Sequence, residues 1–403
     1  MGIATVGVIG TGTMGVGIAQ VALEAGHAVR WTDADPRAAG RAAERVRDGL
    51  MRRAASAGVE PDQRVAWSDE RLARLTTAAD PNEVAGGADL VIEAIIEDLA
   101  AKRSLFGAVD VAARSDAILA TNTSALSVAA IAAATTRPAR VIGLHFFNPA
   151  PLMPLVEVVA PPSADPGAIA AAMALMTAWG KTPVRCADSP GFIVNRVHRP
   201  FTLEALALVH DGAATIARVD ALIRADGFPM GPFELMDLVG IDVNLAAATA
   251  IFLAVYDEGR GGWLAERFRP SPIQERMVAA GHLGRKLSGG FYRYDGSGRA
   301  VGPAPLWDLA EDPARSLDDD EIVERITLAI VNEAYRAAGD GVASEDDIDR
   351  ALRLGAGHPV GPFERTALFG GPAVILERLR RYARVGPRFD PAPALLAAAG
   401  QRT

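Results

Sequence analysis

One cysteine, Cys186, stands in a chain of 403 residues. That excludes an internal disulfide framework and a thiolate metal cluster, and it fits a reducing compartment. Basic charge is in deficit, with 41 Lys and Arg against 49 Asp and Glu, which argues against a nucleic-acid or anionic-membrane partner. No apolar run approaches the length of a membrane span. The first residues lead straight into a strand-like stretch without a basic region or a long apolar core, so no signal peptide is expected. Of six histidines, His27, His198, His210, His282 and His358 lack metal-ligand spacing, and no metal site is expected. What remains is globular composition, half of it hydrophobic, long enough for two or three domains with their own cores. A cytoplasmic protein is expected.

Thr5-Val6-Gly7-Val8-Ile9 reads as a buried strand, followed at once by Gly10-Thr11-Gly12-Thr13-Met14-Gly15. A helical pattern through Val16, Ile18, Ala19, Val21 and Leu23 ends at Gly26, and a second strand ends on the acid Asp33. Gly10 permits the tight turn, Gly12 lets a pyrophosphate approach the backbone, and Gly15 lets helix pack on strand. The helix start presents N–H groups and a positive dipole end to the phosphates. A carboxylate at Asp33 accepts ribose hydroxyls and repels a 2′-phosphate, favouring NAD over NADP, with Arg37 as the one opposing feature.

The strand–helix alternation continues. Strands are expected over 88–95, 117–122 and 140–145, and their C-terminal ends line the ligand crevice in such sheets. Asn122-Thr123-Ser124 and His145-Phe146-Phe147-Asn148 therefore face one cleft. Glu157 follows His145 by twelve positions in a strand-like run, Leu155 to Val159. A histidine that takes protons near neutral pH needs such a carboxylate. Alone, a histidine on an apolar strand is more often a hydrogen-bonded core residue than a base. Between the second strand and the resumption of the sheet, residues 34–80 read as an Arg-rich helical hairpin carrying Arg41, Arg45, Arg47, Arg52 and Arg53. It is either a solvated helix face or a landing site for an anionic substrate handle.

Beyond Asp188-Ser189-Pro190-Gly191 the pattern turns helical and repeats itself. Gly227-Phe228-Pro229-Met230-Gly231-Pro232-Phe233-Glu234 recurs as Gly357-His358-Pro359-Val360-Gly361-Pro362-Phe363-Glu364. Glu204, Asp211 and Asp220 find counterparts in Glu333, Asp340 and Asp349. Asn195 is replaced by Glu324 in the second copy, so the first copy is expected to face the cleft and the second to be structural. Residues 319 to 403 are expected to pack on residues 190 to 290. The segment Gly212 to Arg218 lacks the acids that open the matching helix at Ser344, which predicts a weaker cap there.

These residues together resemble the L-3-hydroxyacyl-CoA dehydrogenase family, which includes 3-hydroxybutyryl-CoA and 3-hydroxyadipyl-CoA dehydrogenases, over nearly the whole chain. The marks are the glycine turn, Val91-Ile92-Glu93-Ala94, Asn122-Thr123-Ser124, His145 to Pro149, Pro190 to Arg196, Pro229 to Glu234 and Gly290-Phe291-Tyr292. The resemblance implies an α/β Rossmann-type NAD-binding domain followed by two tandem all-α domains, similar to the 6-phosphogluconate dehydrogenase C-terminal fold. The expected divisions are 1–187, with the hairpin insertion at about 34–80, a first helical domain over 188–294, a linker over 295–318, and a degenerate second copy over 319–403. It implies NAD-dependent oxidation of a (3S)-3-hydroxyacyl-CoA in acyl-CoA metabolism. His145 would be the general base, oriented by Glu157, with Ser124 and Asn195 hydrogen-bonding the substrate oxygen. NAD would contact Gly10, Gly12, Thr13, Met14, Gly15, Asp33, Glu97, Lys102, Asn122, Ser124, Asn148 and Lys286, with Lys102 also near coenzyme A. Gly49 and Ser56 fall at places where family members often carry the lysines and serine that grip coenzyme A, with Arg52 and Arg53 nearby as substitutes. Other readings are a dehydrogenase of a free 3-hydroxy acid and a non-catalytic NAD-binding protein. The resemblance leaves two assemblies, a homodimer or a monomer whose second helical copy acts as an internal partner.

Overall fold

The computed structural model describes residues 2–256, 262–305 and 317–401. It separates into two units, residues 1–192 and 193–403.

The first unit alternates strand and helix. Its elements are β1 (Thr5–Ile9), α1 (Thr13–Glu24), β2 (Ala28–Thr32), α2 (Pro36–Ser56), α3 (Arg64–Leu72), β3 (Leu75–Thr77), α4 (Pro81–Gly86), β4 (Leu90–Glu93), α5 (Leu99–Ala112), β5 (Ile118–Thr121), α6 (Val128–Ala132), β6 (Val141–Phe146), β7 (Leu155–Ala160), α7 (Pro166–Ala178) and β8 (Thr182–Ala187). The eight strands form one sheet in the order β3-β2-β1-β4-β5-β6-β7-β8. Every pairing is parallel except β6 with β7. Strand order reverses between β1 and β4, which opens a crevice beyond their carboxyl ends. Val8, Ile92, Ile118, Ile142 and Leu144 are fully buried between the helical layers. Each such side chain contributes about 1.5–3 kcal/mol on leaving water. Helix starts are capped by Asp35, Asp80, Asp98, Ser127 and Asp165, whose side chains accept N–H bonds from the first turn.

Two boundaries differ from expectation. The expected hairpin region ends in a strand, because Leu75–Thr77 pairs with β2 and extends the sheet. The segment 188–192, expected to open the helical half, stays with the first unit. Its anchor is the Asp188 carboxylate, which accepts bonds from the Ser127 hydroxyl, Val128 N and Ala129 N at 3.0, 3.0 and 2.7 Å.

The second unit is helical and carries the repeat. Its elements are α8 (Val194–Val197), α9 (Arg199–His210), α10 (Ile216–Ala225), α11 (Pro232–Val239), α12 (Ile241–Val255), α13 (Pro272–Ala279), β9 (Tyr292–Tyr294), β10 (Ala300–Pro303), α14 (Asp319–Gly339), α15 (Glu345–Ala356), α16 (Pro362–Leu368), α17 (Pro372–Arg381) and α18 (Pro393–Ala398). Residues 300–303, expected as linker, pair with β9 as an antiparallel hairpin. The part of that linker over 306–316 lies outside the described residues. The cap bond before α10 is intact, since Thr215 accepts from Arg218 N just as Ser344 accepts from Asp347 N before α15, and the difference between the copies is confined to the first-turn acids, which α10 lacks and α15 has.

The repeated Gly-Pro-Phe-Glu has a local cause. Asp220 on α10 accepts bonds from Phe233 N and Glu234 N at 3.0 and 3.1 Å, and Asp349 on α15 accepts from Phe363 N and Glu364 N at 2.8 and 2.9 Å. A Cβ on Gly231 or Gly361 would lie 2.1 or 2.2 Å from that aspartate, so only glycine fits. Pro232 and Pro362 follow at the first helical turn, where a missing N–H costs nothing.

The copies face each other through α14, which packs on α8 and α9. Arg196 Nε lies 2.8 Å from Glu333 Oε1, and Arg325 Nε lies 2.8 Å from Glu204 Oε1. Arg267 Nε adds a bond of 2.7 Å to Glu333, and Arg388 Nε one of 2.8 Å to Glu204. Each glutamate thus takes two arginines from the other copy, the reciprocity of a two-fold interface. Burial opposes the charge on Glu333, but Arg267 and Arg196 hold its carboxyl below the ordinary value.

Candidate active site

Residues directly opposed on antiparallel strands point to the same face of the sheet. His145 on β6 opposes Glu157 on β7, the one antiparallel pairing in the sheet. Their side chains meet with His145 Nδ1 2.6 Å from Glu157 Oε2, and Glu157 is fully buried. Nδ1–H donation to the carboxylate selects the tautomer that leaves Nε2 as the acceptor. The imidazole sits between aromatic rings, with centroids at 4.6 Å to Phe147 and 5.7 Å to Phe192. Phe192 follows Gly191 and has φ of 50°, a left-handed backbone costly for a bulky side chain. Phe147 belongs to the run expected at the cleft, whereas Phe192 is an addition to it. The Phe-Phe after His145 was visible, whereas the positive φ of Phe192 is a product of the folded turn.

Beside β6, the loop after β5 is tied down by side chains. Asn122 Oδ1 accepts from Phe146 N at 2.9 Å, locking that loop to the end of the histidine strand. Ser124 follows, and its N–H donates to Glu97 Oε1 at 2.8 Å. Glu97 also accepts the Thr123 hydroxyl at 2.6 Å and Ala125 N at 3.2 Å. Lys102, 1% exposed, donates to Glu93 at 2.6 Å and stands 3.3 Å from Glu97. Thr123, expected at the cleft but given no role there, is a full member of this network.

The glycine turn fits a dinucleotide. Gly10 has φ of 99°, and a Cβ there would meet the Ala94 carbonyl at 2.5 Å. A Cβ on Gly15 would meet the Gly10 carbonyl oxygen at 1.9 Å. At Gly12 an added Cβ meets nothing within 4 Å, so open space lies directly in front of the α1 N-terminus, as a pyrophosphate requires. Thr13 is exposed and Met14 half-buried at the helix start. A cavity of about 800 Å³ continues from Gly10 and Gly12 to Asp33, Ala79, Ile95 and Leu105, a size suited to a nucleoside. Thr11 N and Oγ1 donate to Asp33 Oδ2 at 2.7 and 2.8 Å, orienting the acid at the cavity edge. Burial pushes this carboxyl up, but the N–H groups of Thr11 and Asp35 and the Thr11 hydroxyl outweigh it, holding it below its usual value.

Arg52 and Arg53 diverge. Arg52 lines a cavity of about 310 Å³ with Thr13, Gln20, Arg45 and Asn148, while Arg53 Nε lies 3.5 Å from Glu24 on α1. Arg45 donates to the Thr11 carbonyl at 2.6 Å and braces the glycine turn. A Cβ on Gly49 would meet Gln20 Oε1 at 2.0 Å, so α1 closes over the place of a longer side chain. Asn195 and Lys286 belong to the second unit. Asn195 is half-buried on α8, and Lys286 Nζ is held by both Asp242 oxygens at 2.6 and 2.7 Å. In the second copy Glu324, the counterpart of Asn195, is bound by Arg378 at 2.9 Å and the Tyr382 hydroxyl at 2.7 Å.

Residues 5–189 match the NAD-binding domain of 3-hydroxyacyl-CoA dehydrogenases, and residues 191–294 and 322–397 match their C-terminal domain. A 3-hydroxyadipyl-CoA dehydrogenase of Escherichia coli K12 is 34% identical, with 94% of each chain covered. The crystal structure of an E. coli 3-hydroxybutyryl-CoA dehydrogenase superposes with a TM-score of 0.86 at 33% identity, covering 99% of this chain and 98% of that one. The (S)-3-hydroxybutyryl-CoA dehydrogenase PaaH1 of Ralstonia eutropha, 34% identical with a TM-score of 0.67, is covered completely by 73% of this chain. Family models matched over most of its length, and a relative 34% identical over 94% of each chain, show that the chain belongs to the 3-hydroxyacyl-CoA dehydrogenase family.

Proposed function

We propose that the protein oxidises a (3S)-3-hydroxyacyl-CoA to the 3-oxoacyl-CoA, reversibly and with NAD, using His145 as general base. The observation that carries this reading is the buried 2.6 Å contact between His145 Nδ1 and Glu157. Nε2 takes the proton of the substrate 3-hydroxyl as the C3 hydride departs and the carbonyl forms. Glu157 keeps the ring oriented and stabilises the imidazolium. Phe147 and Phe192 shield the ring from water. By family resemblance, Ser124 and Asn195 would each donate a hydrogen bond to the substrate oxygen. NAD bound in the crevice supplies the hydride acceptor. Gly10, Gly12, Thr13, Met14 and Gly15 would hold its pyrophosphate and Asp33 its adenosine ribose, and Asn122, Asn148 and Lys286 would belong to the same cofactor set by family resemblance.

Arg52, rather than the Glu24-paired Arg53, is the cation offered to the coenzyme A phosphates, with Arg45 beside it. The second helical copy serves as a structural partner inside the chain, supported by the reciprocal arginine–glutamate exchange and by the occupied Glu324. The protein is then a monomer in which copy meets copy. A cytoplasmic location fits the single cysteine, and no single helix among the described residues is long and apolar enough to cross a membrane.

The test is a steady-state NADH-consumption screen over 3-oxoacyl-CoAs of graded length, with unesterified 3-oxo acids alongside. Turnover of thioesters and not of free acids is expected. The reverse preference would replace the thioester reading with a free-acid dehydrogenase.

A further inference from the structure

We propose that Glu97 and Lys102 act on the reaction as positioning residues for Ser124, an inference that rests on the reading of Ser124 as a donor to the substrate oxygen. Family resemblance gives both residues to the cofactor, and Lys102 to the acyl carrier as well. Their surroundings point elsewhere.

Lys102 is among the largest fully buried side chains. Its ammonium lies 2.6 Å from Glu93 and 3.3 Å from Glu97, so its charge is spent on carboxylates inside the fold rather than on a phosphate outside it. Glu93 is fixed in turn by Ile95 N at 2.7 Å and by the Thr121 hydroxyl at 2.7 Å, at the end of β5. Glu97 turns one oxygen toward Lys102 and the other toward the loop after β5. That second oxygen gathers the Thr123 hydroxyl, Ser124 N and Ala125 N. Thr123 Oγ1 itself accepts Leu126 N at 3.0 Å, closing the turn.

The Ser124 backbone is therefore clamped by a carboxylate whose own place is set by a buried lysine. Lys102 also neutralises one of two carboxylates that would otherwise repel each other. Without the clamp, three donors lose a shared acceptor and the serine wanders, and an error of about 1 Å in a catalytic donor costs up to about 100-fold in rate.

The experiment is a double-mutant cycle on kcat in the full chain, with NAD affinity read by fluorescence titration. Lys102→Met leaves Glu93 buried without its cation and endangers folding, so Glu97→Ala, at a side chain 42% exposed, is the primary variant. Glu97→Ala should lower kcat about tenfold with NAD affinity within about twofold, and Glu97→Gln, which keeps an acceptor oxygen, should recover most of the loss. Ser124→Ala should lower kcat by about 100-fold, and adding Glu97→Ala to it should cost less than about twofold more. Equal factors in both backgrounds, or a fall in NAD affinity that accounts for the loss, would overturn the proposal while leaving the dehydrogenase function standing. No turnover of acetoacetyl-CoA by the unaltered protein would remove the function and this role of Ser124 together.

Discussion

Glu204 and Glu333 stand at equivalent places in the two helical copies, and each is clamped by two arginines of the other copy. Glu204 is fully buried and Glu333 nearly so. A buried pair gains little over an apolar replacement, but removing one partner leaves uncompensated charge. Glu204→Ala, which strands Arg325 and Arg388, should destabilise the helical unit by about 3–5 kcal/mol. Thermal unfolding checks this, and a shift indistinguishable from that of an exposed control such as Glu377→Ala would show the clamp to be dispensable.

Cofactor choice should follow Asp33. Its carboxylate is aimed by Thr11 at the edge of the nucleoside cavity. Asp33→Ala should weaken NAD binding by at least about tenfold and narrow the gap to NADP, because the repulsion of a 2′-phosphate goes with the charge. Titration of the variant with both cofactors measures it. An unchanged ratio of affinities would take Asp33 out of the ribose contact.

The helical unit should lose stability as pH rises from about 4 to 7 through Asp220. Burial raises its carboxyl from 3.8 to about 7, against the bonds from Phe233 N and the Tyr292 hydroxyl. Between those values the folded chain keeps a proton that the unfolded chain releases, so the folded state binds more protons and stability falls with rising pH. Asp349 in the second copy is raised in the same direction by burial. Asp220→Asn carries no ionisable group. The melting temperature of the unaltered protein relative to this variant should therefore decline between pH 5 and pH 8. A difference that is flat or grows over that range would contradict the assignment.

Much of this is legible in the sequence itself. The glycine turn, Asp33 and the run around His145 encode local requirements, where a particular residue type is needed at a particular backbone position. The Gly-Pro-Phe-Glu repeat was legible for the same reason, since its glycine makes room for an aspartate. The reciprocal clamp was half visible. Glu204 and Glu333 were matched, but Arg267-Phe268 and Arg388-Phe389, each followed two positions on by proline, form a further repeated motif that was passed over. Their pairing with the opposite glutamate joins residues 66 and 184 positions apart. The burial of Lys102 is hidden for a similar reason. Lysines are rarely fully buried unless paired, and its pairing with Glu93 depends on the register of a helix against a strand. The short strands β3 and β10 carry too few residues to show a period.

The dyad itself admits a graded test. Glu157→Gln preserves the size of the side chain and a hydrogen-bond acceptor but not the charge that stabilises the imidazolium. It should lower kcat by about 10- to 100-fold with little change in NAD affinity. Stopped-flow hydride transfer, compared with steady-state turnover, checks that the loss falls on the chemical step. A variant impaired only in NAD binding would assign Glu157 to the cofactor.

The central claim is that His145 takes the hydroxyl proton. His145→Gln, with kcat measured on a 3-hydroxyacyl-CoA and NAD affinity measured by titration, tests it most directly. The account predicts a fall in kcat of at least about 100-fold with NAD binding nearly unchanged. Near-normal turnover in that variant would contradict it and return His145 to the core of the sheet.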